Sequence, residues 1–412
     1  MNNKTYCVLP YNHLSIDPAG NVRPCCNYNT HHTDYPNEWK TLNVQDDLTI
    51  EELLNGKAHA AVRADIEDGI KHKFCNRCWV VEDGGGESYR NNWNDTFLES
   101  NNTPKSRNLN VEYLEMTLGN KCNLQCRMCN PWSSHLWEED IIKNPELNHW
   151  GANTDNINFE WYNTEAFDKL LEQIIPTVKH INMLGGEPLF NPKYYEVLQR
   201  IVDSGRAHEV SLQFNTNLLA LKPSNLPLWK KFKWVAANIS CDGVEEVNEF
   251  VRYPGKWNKF IKNLDHIIEW QTEMGGPEKL KLQIHSTMSS LTWLNLGELF
   301  KWCRLQPLDH SLPFLIQVNQ PAYLDCINMP TEIKQLGYDL AIEGLGDIDD
   351  WQTVNIRSLL DYVMNTPDDP VEWQKMIVAT NNLDRVRNSN ILDIIPQYEK
   401  YWNTKNSYNE LS

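Results

Sequence analysis

The stretch GNKCNLQCRMCNPW, residues 119–132, places three cysteines within eight residues of a polar turn. The turn directly follows the apolar run VEYLEMTL, residues 111–118, and its cysteines are Cys122, Cys126 and Cys129. Polar neighbours argue against burial as their purpose. Disulfides are also disfavoured, because three is odd and adjacent bridges would strain so short a loop. Three thiols presented on one loop are typical of a metal cluster.

The charge of the whole chain limits its partners. Its 412 residues include 38 Lys and Arg against 55 Asp and Glu, which gives a formal net charge of −17. Such a charge repels a phosphate backbone, so no nucleic-acid partner is expected. No apolar run approaches the roughly 20 residues that span a bilayer, and residues 1–12 do not read as a signal peptide. We therefore expect a cytoplasmic protein without a membrane partner, whose cysteines are free thiols or metal ligands.

Composition divides the chain into three zones, which we predict to be domains. Residues 1–105 hold five cysteines and one clear helical pattern, over residues 50–70. Residues 106–330 alternate short apolar runs with amphipathic ones. Residues 331–412 read as mainly helical and carry no chemical motif.

The middle zone predicts an α/β fold. Helical patterns such as AFDKLLEQII, residues 166–175, separate several strand candidates, and this alternation implies parallel pairing. Six strands predict a partial (β/α)6 TIM-like barrel, with its chemistry at the C-terminal strand ends. The predicted strands are Val111–Leu118, His180–Leu184, Glu209–Phe214, Trp234–Ser240, Leu280–Thr287 and Phe314–Val318.

The spacing Cys122-x3-Cys126-x2-Cys129 supplies three ligands to a cubane [4Fe–4S] cluster and leaves one iron open. That iron could bind a chelating ligand from outside the protein. The alternative is a zinc site, but structural zinc prefers four ligands and commonly two CxxC pairs. A fourth cysteine is missing from this loop.

On these residues the sequence resembles the radical S-adenosylmethionine (SAM) superfamily, whose signature is this spacing after the first barrel strand. The resemblance implies that the open iron of the [4Fe–4S] cluster binds SAM. Electron transfer then cleaves SAM to methionine and a 5′-deoxyadenosyl radical, which abstracts a hydrogen atom from the substrate. It also implies that Met128 packs against the adenine. A reductant such as flavodoxin or ferredoxin is the implied electron donor.

A second motif strengthens the resemblance. Gly185, Gly186 and Glu187, followed by Pro188, come directly after the predicted strand 180–184. Glycines at a strand end allow close backbone approach to a ligand, and a carboxylate can accept a hydrogen bond from an ammonium group. In the family this GGEP motif binds the amino group of SAM. The alternative is a plain Gly–Gly turn with a solvated glutamate.

A weaker match ends the third barrel strand. The segment FNTN, residues 214–217, resembles the family's TNG segment, although Leu218 replaces the glycine. The resemblance implies that Thr216 and Asn217 bind the ribose or carboxylate of SAM. A helix N-cap is the alternative role for Thr216.

Another weaker match ends the fourth strand. The segment SCDG, residues 240–243, resembles the family's S-x-D-G segment and implies Ser240 and Asp242 as cofactor-binding residues. Arg252 lies where related enzymes carry an arginine for the SAM carboxylate, a task that suits its planar fork. The alternatives are an N-cap for Asp242 and a surface ion pair for Arg252.

The first zone carries a second set of cysteines, Cys7, Cys25, Cys75 and Cys78. Two pairs of thiols separated by a loop and a helix can close a four-cysteine zinc site or hold an iron–sulfur cluster, and spacing does not choose between them. Cys26 is either a spare neighbour or an alternative ligand to Cys25.

The pattern C-x(9–15)-G-x4-C followed by C-x2-C resembles the SPASM and twitch auxiliary-cluster domains of radical SAM enzymes. The segment ESYR, residues 87–90, also resembles the end of such modules. Here the module precedes the barrel, whereas in the family it normally follows. The ligands suffice for one auxiliary [4Fe–4S] cluster, so the module is twitch-like.

The resemblance implies a radical SAM enzyme with no catalytic residue assigned beyond the cluster. We expect it to modify a peptide or protein oxidatively, with the auxiliary cluster as electron acceptor. The first alternative is dehydrogenation or epimerisation of a small sugar or aminocyclitol. An alternative of another class is a non-catalytic iron–sulfur or zinc scaffold.

Overall fold

The computed structural model describes residues 4–30, 34–36, 39, 41–99, 109–149, 151–346 and 350–402, without side-chain detail for residues 97–99. The domain boundary predicted at residue 105 lies outside these ranges. The chain divides into two compact units, each described by itself. Unit 1 comprises Met1–Lys121, Asp155–Phe214 and Lys222–Val235, and unit 2 comprises Cys122–Thr154, Asn215–Leu221 and Ala236–Ser412.

The strands of the described residues form a sheet in the order β2-β1-β3-β4-β5-β6-β7-β8. Strands β3 to β8 match the six predicted strands, and this mostly parallel α/β order confirms the predicted partial TIM-like barrel. The strands are β1 His13–Ile16, β2 Val22–Arg23, β3 Tyr113–Thr117, β4 His180–Leu184, β5 Ser211–Thr216, β6 Trp234–Ser240, β7 Leu280–Met288 and β8 Phe314–Gln317.

Helices lie between the strands and fill the C-terminal part of the chain. In the described residues they are α1 Leu9–Asn12, α2 Ile50–Leu54, α3 Lys57–Glu67, α4 Asn76–Asp83, α5 Tyr89–Glu99, α6 His135–Lys143, α7 Glu165–Ile174, α8 Pro192–Asp203, α9 Asn225–Trp229, α10 Glu246–Val251, α11 Trp257–Met274, α12 Leu296–Arg304, α13 Thr331–Leu345, α14 Trp351–Asn365, α15 Pro370–Arg387, α16 Ile391–Ile394 and α17 Glu399–Trp402. No described helix is long and apolar enough to cross a bilayer.

Unit 1 contains a part of the sheet that the sequence analysis did not predict. Strand β1 pairs in parallel with β3, from His13 opposite Tyr113 to Ile16 opposite Met116, and β2 pairs antiparallel with β1. A segment of the first zone therefore extends the sheet beside the first predicted barrel strand.

Alternation along β4 shows how this sheet separates its faces. Ile181 and Met183 are buried, whereas His180, Asn182 and Leu184 are half-buried. Because successive side chains of a strand point to opposite faces, the two apolar residues face the covered side of the sheet. Polar side chains are thereby left on the opposite face.

The helix predicted over residues 50–70 is two helices, α2 and α3. Thr49 begins α2 with a capping box, in which its side chain and that of Glu52 bond each other's backbone N–H. The break falls at Asn55 and Gly56, where an added Cβ on Gly56 would lie 2.7 Å from Leu42 Cδ1. Tight packing at this point favours a glycine and interrupts the helix.

Unit 2 holds β7, β8 and the C-terminal helices around a core of its own. Large buried side chains of this core come from widely separated segments, including Trp293, Phe300, Trp373 and Tyr398. The mainly helical C-terminal region predicted from sequence is thus packed into the core of unit 2.

Candidate functional site

The three-cysteine loop belongs to unit 2 and is held by its backbone. Cys122 and Cys126 are buried, and Cys129 is half-buried. The Gln125 N–H donates to the Tyr253 carbonyl at 2.7 Å, and the Arg127 N–H donates to the Val251 carbonyl at 2.7 Å. The loop is therefore paired with the chain that follows helix α10.

The electrostatics of the loop suit bound metal. A hydrogen bond with the Cys129 thiol lowers the pKa of Cys126, although burial raises it. The nearby guanidinium groups of Arg252 and Arg387 also lower this pKa. The same hydrogen bond, then burial and the neighbouring thiols, raise the pKa of Cys129 well above its ordinary value. Thiolates are the metal-binding form, so positive charge beside these thiols favours ligation.

The donor set fits a cluster better than a single ion. In the described part of the chain, no three His, Cys, Asp or Glu side chains converge closely enough to bind one metal ion. Structural zinc prefers four ligands, whereas three thiolates suffice for a cubane that keeps one iron open.

The GGEP turn lies in unit 1, at the end of β4. Gly185 and Gly186 have φ of +74° and +50°, values that residues with a Cβ atom rarely adopt. An added Cβ would lie 1.9 Å from Thr117 Cγ2 at Gly185 and 2.2 Å from the Lys121 carbonyl oxygen at Gly186. The close approach that the glycines permit is therefore to the chain itself. This contact fixes the turn against Lys121, the last residue of the unit 1 segment that follows β3.

Glu187 is buried rather than solvated. Its N–H donates to the Lys121 carbonyl at 2.9 Å, and its Oε1 accepts from the Leu189 N–H at 3.0 Å. The plain-turn alternative with a solvated glutamate does not describe this residue. Binding of the SAM amino group by Glu187 stays a prediction.

In unit 2 the segment after β5 is tied to the cysteine loop. Asn217 Nδ2 donates to Asn123 Oδ1 at 2.9 Å, and Asn217 Oδ1 accepts from the Leu219 N–H at 3.0 Å. Thr216 Oγ1 accepts from the Leu218 N–H at 2.9 Å, which is a local turn and not a helix cap. Leu218 has φ of +65°, so it adopts the conformation that the family's glycine would take without strain.

Asp242 and Arg252 are paired with each other inside unit 2. Asp242 Oδ2 lies 2.7 Å from Arg252 Nε, although their alignment is not that of a hydrogen bond, and Asp242 Oδ1 accepts from the Thr287 N–H at 2.7 Å. Burial alone would lower the pKa of Arg252, but Asp242 and Cys126 raise it by more. The two residues thus form a buried ion pair, not the surface pair of the alternative, and their binding of SAM stays a prediction.

Two further residues of unit 2, Ser240 and Met128, are predicted from the sequence to bind the cofactor. Ser240 is half-buried at the end of β6. Met128 is half-buried and packs against the core of unit 2. Their contacts with SAM stay predictions.

In unit 1 the N-terminal cysteines form a second set. Cys7 and Cys25 pack against the same two apolar clusters, and Cys75 packs against one of them. Burial above all, together with the nearby thiol of Cys78, raises the pKa of Cys7 to about 12. Burial, then Cys7 and Cys78, also raise the pKa of Cys75. Thiols that oppose each other's ionisation in a buried site require a bound cation to become thiolates.

The surroundings favour Cys25 over Cys26 as the fourth member. Cys25 interacts electrostatically with Cys7 and accepts from the Asn27 N–H at 3.4 Å. Cys26 is hydrogen-bonded to Cys25 and interacts with Tyr89 and Tyr113 instead.

The sequence analysis missed the role of Arg90, the last residue of ESYR. This buried arginine pairs with Glu82, donates to the Tyr6 carbonyl, and lies 4.8 Å from the centroid of the Trp79 ring. It lowers the pKa of Cys7, so a fixed positive charge accompanies the thiol set. The signal that could have pointed to Arg90 is its position in the segment ESYR, which resembles the end of auxiliary-cluster modules.

A polar cluster on β1, β3 and β4 was also missed. Ser15, Glu115 and Asn182 are cross-strand neighbours, and the buried Glu115 accepts from Ser15 Oγ at 2.9 Å and from Asn182 Nδ2 at 3.3 Å. Tyr113 donates to the same carboxylate at 3.3 Å and lies 2.9 Å from the Tyr89 hydroxyl. The signal was a glutamate in the middle of the apolar run VEYLEMTL.

Relatives among curated proteins match short stretches of the chain. Mycofactocin maturase MftC of Mycobacterium tuberculosis is 31% identical over 91 residues, which is 22% of either protein. GTP 3′,8-cyclase of Trichormus variabilis is 29% identical over 117 residues, 28% of this chain and 31% of that protein. The match spans about a fifth of the length of the first of these relatives.

Solved structures give weaker likeness. The enzyme anSMEcpe with bound AdoMet has a TM-score of 0.36 at 12% identity, covering 56% of this chain and 58% of that one. SuiB of Streptococcus suis bound to S-adenosylmethionine has a TM-score of 0.35 at 13% identity, covering 79% and 67%.

Family models match both cysteine sets. The radical SAM superfamily model matches residues 116–271, and the SPASM iron–sulfur cluster-binding domain matches residues 7–79. The first range contains the three-cysteine loop and the GGEP turn, and the second contains the four N-terminal cysteines predicted as ligands. The cofactors are accordingly a [4Fe–4S] cluster that binds SAM and an auxiliary iron–sulfur cluster. The chain therefore contains a radical SAM domain, preceded by a SPASM-type iron–sulfur cluster-binding domain.

Proposed function

We propose that this protein cleaves SAM reductively and uses the resulting radical to oxidise a side chain of a peptide or protein. The reaction removes two electrons from the substrate, one with the abstracted hydrogen atom and one to the auxiliary cluster. Unit 1 and unit 2 each contribute a cysteine set to this scheme.

The observation that carries the proposal is the four-thiol set of unit 1. Cys7, Cys25, Cys75 and Cys78 would saturate a cubane, leaving no iron free to bind substrate. A saturated cluster can still accept an electron, which is the step that turns a substrate radical into a closed-shell product. Arg90 supports this role, because a buried cation beside the set favours the reduced, more negative cluster.

The polar cluster of unit 1 supports a polar substrate. Asn182 Oδ1 is buried and has no hydrogen-bond partner among the described residues. Buried polar atoms are normally paired, so a polar ligand or water is expected beside it. Amide groups of a peptide and hydroxyl groups of a sugar both meet this need.

Net charge and sequence similarity favour a peptide substrate over a nucleotide. The net charge of −17 disfavours a polyanion such as GTP, the substrate that the name of one relative specifies. The other relative is named a maturase, and it matches this chain at 31% identity over a short stretch. Sugar or aminocyclitol dehydrogenation remains the second candidate, since the polar cluster suits it equally.

The test begins with anaerobic reconstitution, which should give about eight irons per chain by the two-cubane count. With SAM and dithionite the protein should release 5′-deoxyadenosine even without substrate, and a variant with Cys122, Cys126 and Cys129 replaced by Ala should not. One tightly bound zinc without sulfide would instead show a scaffold. Substrate class is then read by screening peptides and aminocyclitols for loss of two hydrogens by mass spectrometry.

A further inference from the structure

Helix α15 joins the C-terminal region to the three-cysteine loop, both within unit 2. Arg127, in the loop, forms a buried ion pair with Asp384 of α15 and donates to Ser389 Oγ at 2.9 Å. The second carboxylate oxygen of Asp384 accepts from the Ile391 N–H at 2.8 Å. These bonds fix the end of α15 against the loop.

Arg387, the last residue of α15, lies beside the same loop. Its guanidinium is 5.0 Å from the centroid of the Trp137 ring and 4.6 Å from that of Tyr253. The Trp137 indole N–H donates to the Cys126 carbonyl at 3.0 Å, and the Tyr253 carbonyl accepts from the Gln125 N–H at 2.7 Å. Both aromatic residues that cover the guanidinium are thus hydrogen-bonded to the backbone of the three-cysteine loop.

The chain compensates the charge of Arg387 only by a long ion pair. Its side chain is 2% exposed, and none of its three guanidinium nitrogens has a hydrogen-bond partner among the described residues. The nearest carboxylate, Asp140, lies 3.9 Å away, and Arg127 is a like charge nearby. Arginine stays protonated in proteins, and a buried cation without a partner is costly.

The other charges at the loop are already paired. Arg127 is matched by Asp384 and Arg252 by Asp242 at short range, so Arg387, with its 3.9 Å contact to Asp140, is the least compensated of the three buried cations. A [4Fe–4S] cluster with three thiolate ligands carries net negative charge, and reduction increases it. A cluster bound by this loop would therefore supply counter-charge to Arg387.

We propose that Arg387 raises the reduction potential of the SAM-binding cluster. Helix α15 of the C-terminal region would then belong to the cofactor site, because it carries this charge. A fixed cation in a poorly solvated site favours the reduced form, since net charge and solvent exposure are main determinants of cluster potential. Arg387 acts on the cluster through its charge and is a positioning residue, not a catalytic one. The inference rests on the cofactor assignment and is independent of the substrate.

The test is an EPR-monitored redox titration of the anaerobically reconstituted full chain. The loop cluster is identified by the change of its signal on adding SAM. For Arg387→Met we expect the equilibrium for reduction to fall about tenfold, a midpoint about 59 mV more negative for one electron. Arg387→Lys should keep most of the wild-type potential. Arg385→Met is the matched control, because Arg385 is exposed on the same helix and pairs with Glu146.

A second variant keeps the inference testable if Arg387→Met loses its iron. Asp140→Asn removes the only carboxylate near Arg387 in the described residues, so the midpoint should become more positive. An unchanged midpoint in either iron-replete variant, or an equal shift in Arg385→Met, would overturn the inference. A wild-type protein without any SAM-responsive signal would overturn the cofactor assignment as well.

Discussion

Replacing Gly186 by alanine should destabilise the metal-free protein by about 2–5 kcal/mol. The left-handed conformation at φ +50° costs an L-residue roughly 1–2 kcal/mol. The new methyl group would also lie 2.2 Å from the Lys121 carbonyl oxygen, and such overpacking typically costs about 1–3 kcal/mol.

Gly205→Ala provides the matched control for this prediction. Gly205 is also in unit 1, has φ of +79°, and has nothing within 4 Å of an added Cβ. This variant should lose only the conformational part, roughly 1–2 kcal/mol. The difference between the two variants isolates the contact between Gly186 and the Lys121 backbone.

The assay is urea unfolding of both metal-free variants, followed by tryptophan fluorescence. Gly186→Ala should unfold at a clearly lower urea concentration than Gly205→Ala, with similar slopes. Equal losses would refute the reasoning, because they would mean that Gly186 serves only a bound ligand and makes no essential contact with the chain. Iron content after reconstitution should fall with stability in Gly186→Ala and stay at the wild-type level in the control.

Three other outcomes follow from the site. Glu187→Gln should weaken SAM binding in equilibrium dialysis while iron content stays at the wild-type level, and unchanged affinity would remove Glu187 from the SAM site. Replacing Cys75 and Cys78 by Ala should spare 5′-deoxyadenosine release but abolish the oxidised product, so an epimer formed at the wild-type rate would contradict the electron-acceptor role. Burial lowers the pKa of His13 to about 4, which keeps its imidazole neutral in the folded state. Because the unfolded state then binds more protons below pH 6.5, this group should cost about 3 kcal/mol of stability between pH 7 and pH 4, and His13→Phe should reduce that loss in metal-free protein.

The sequence predicted the barrel strands because each is a short apolar run between helical patterns. His180–Leu184 and Trp234–Ser240 have the predicted ends, while Val111–Leu118 is shorter, as β3 Tyr113–Thr117. Strands β1 and β2 were not predicted, because β1 has four residues and β2 has two. Segments this short show too little periodicity to distinguish a strand from a loop.

Within the site, local spacing predicts the metal ligands but cannot show which charged residues pair with each other. The buried pairing of Asp242 with Arg252 depends on helix α10 turning the arginine back toward the end of β6. The ion pair of Arg127 with Asp384 joins residues 257 positions apart, and no local pattern marks either partner. Such long-range partners require the fold itself.

The pairing of β1 with β3 has a consequence for how the protein is made. Ser15 meets Glu115 across 100 positions, and three of the four auxiliary cysteines, Cys25, Cys75 and Cys78, lie on the segment between these two neighbouring strands. Closing so long a loop is a slow, entropically opposed event, so this edge of the sheet should assemble late and together with its cysteine-bearing segment. The segment is thus an insertion between adjacent strands and not a detachable leader. Removing residues 1–105 would uncover the backbone edge of β3, which would then be open to pairing with another chain.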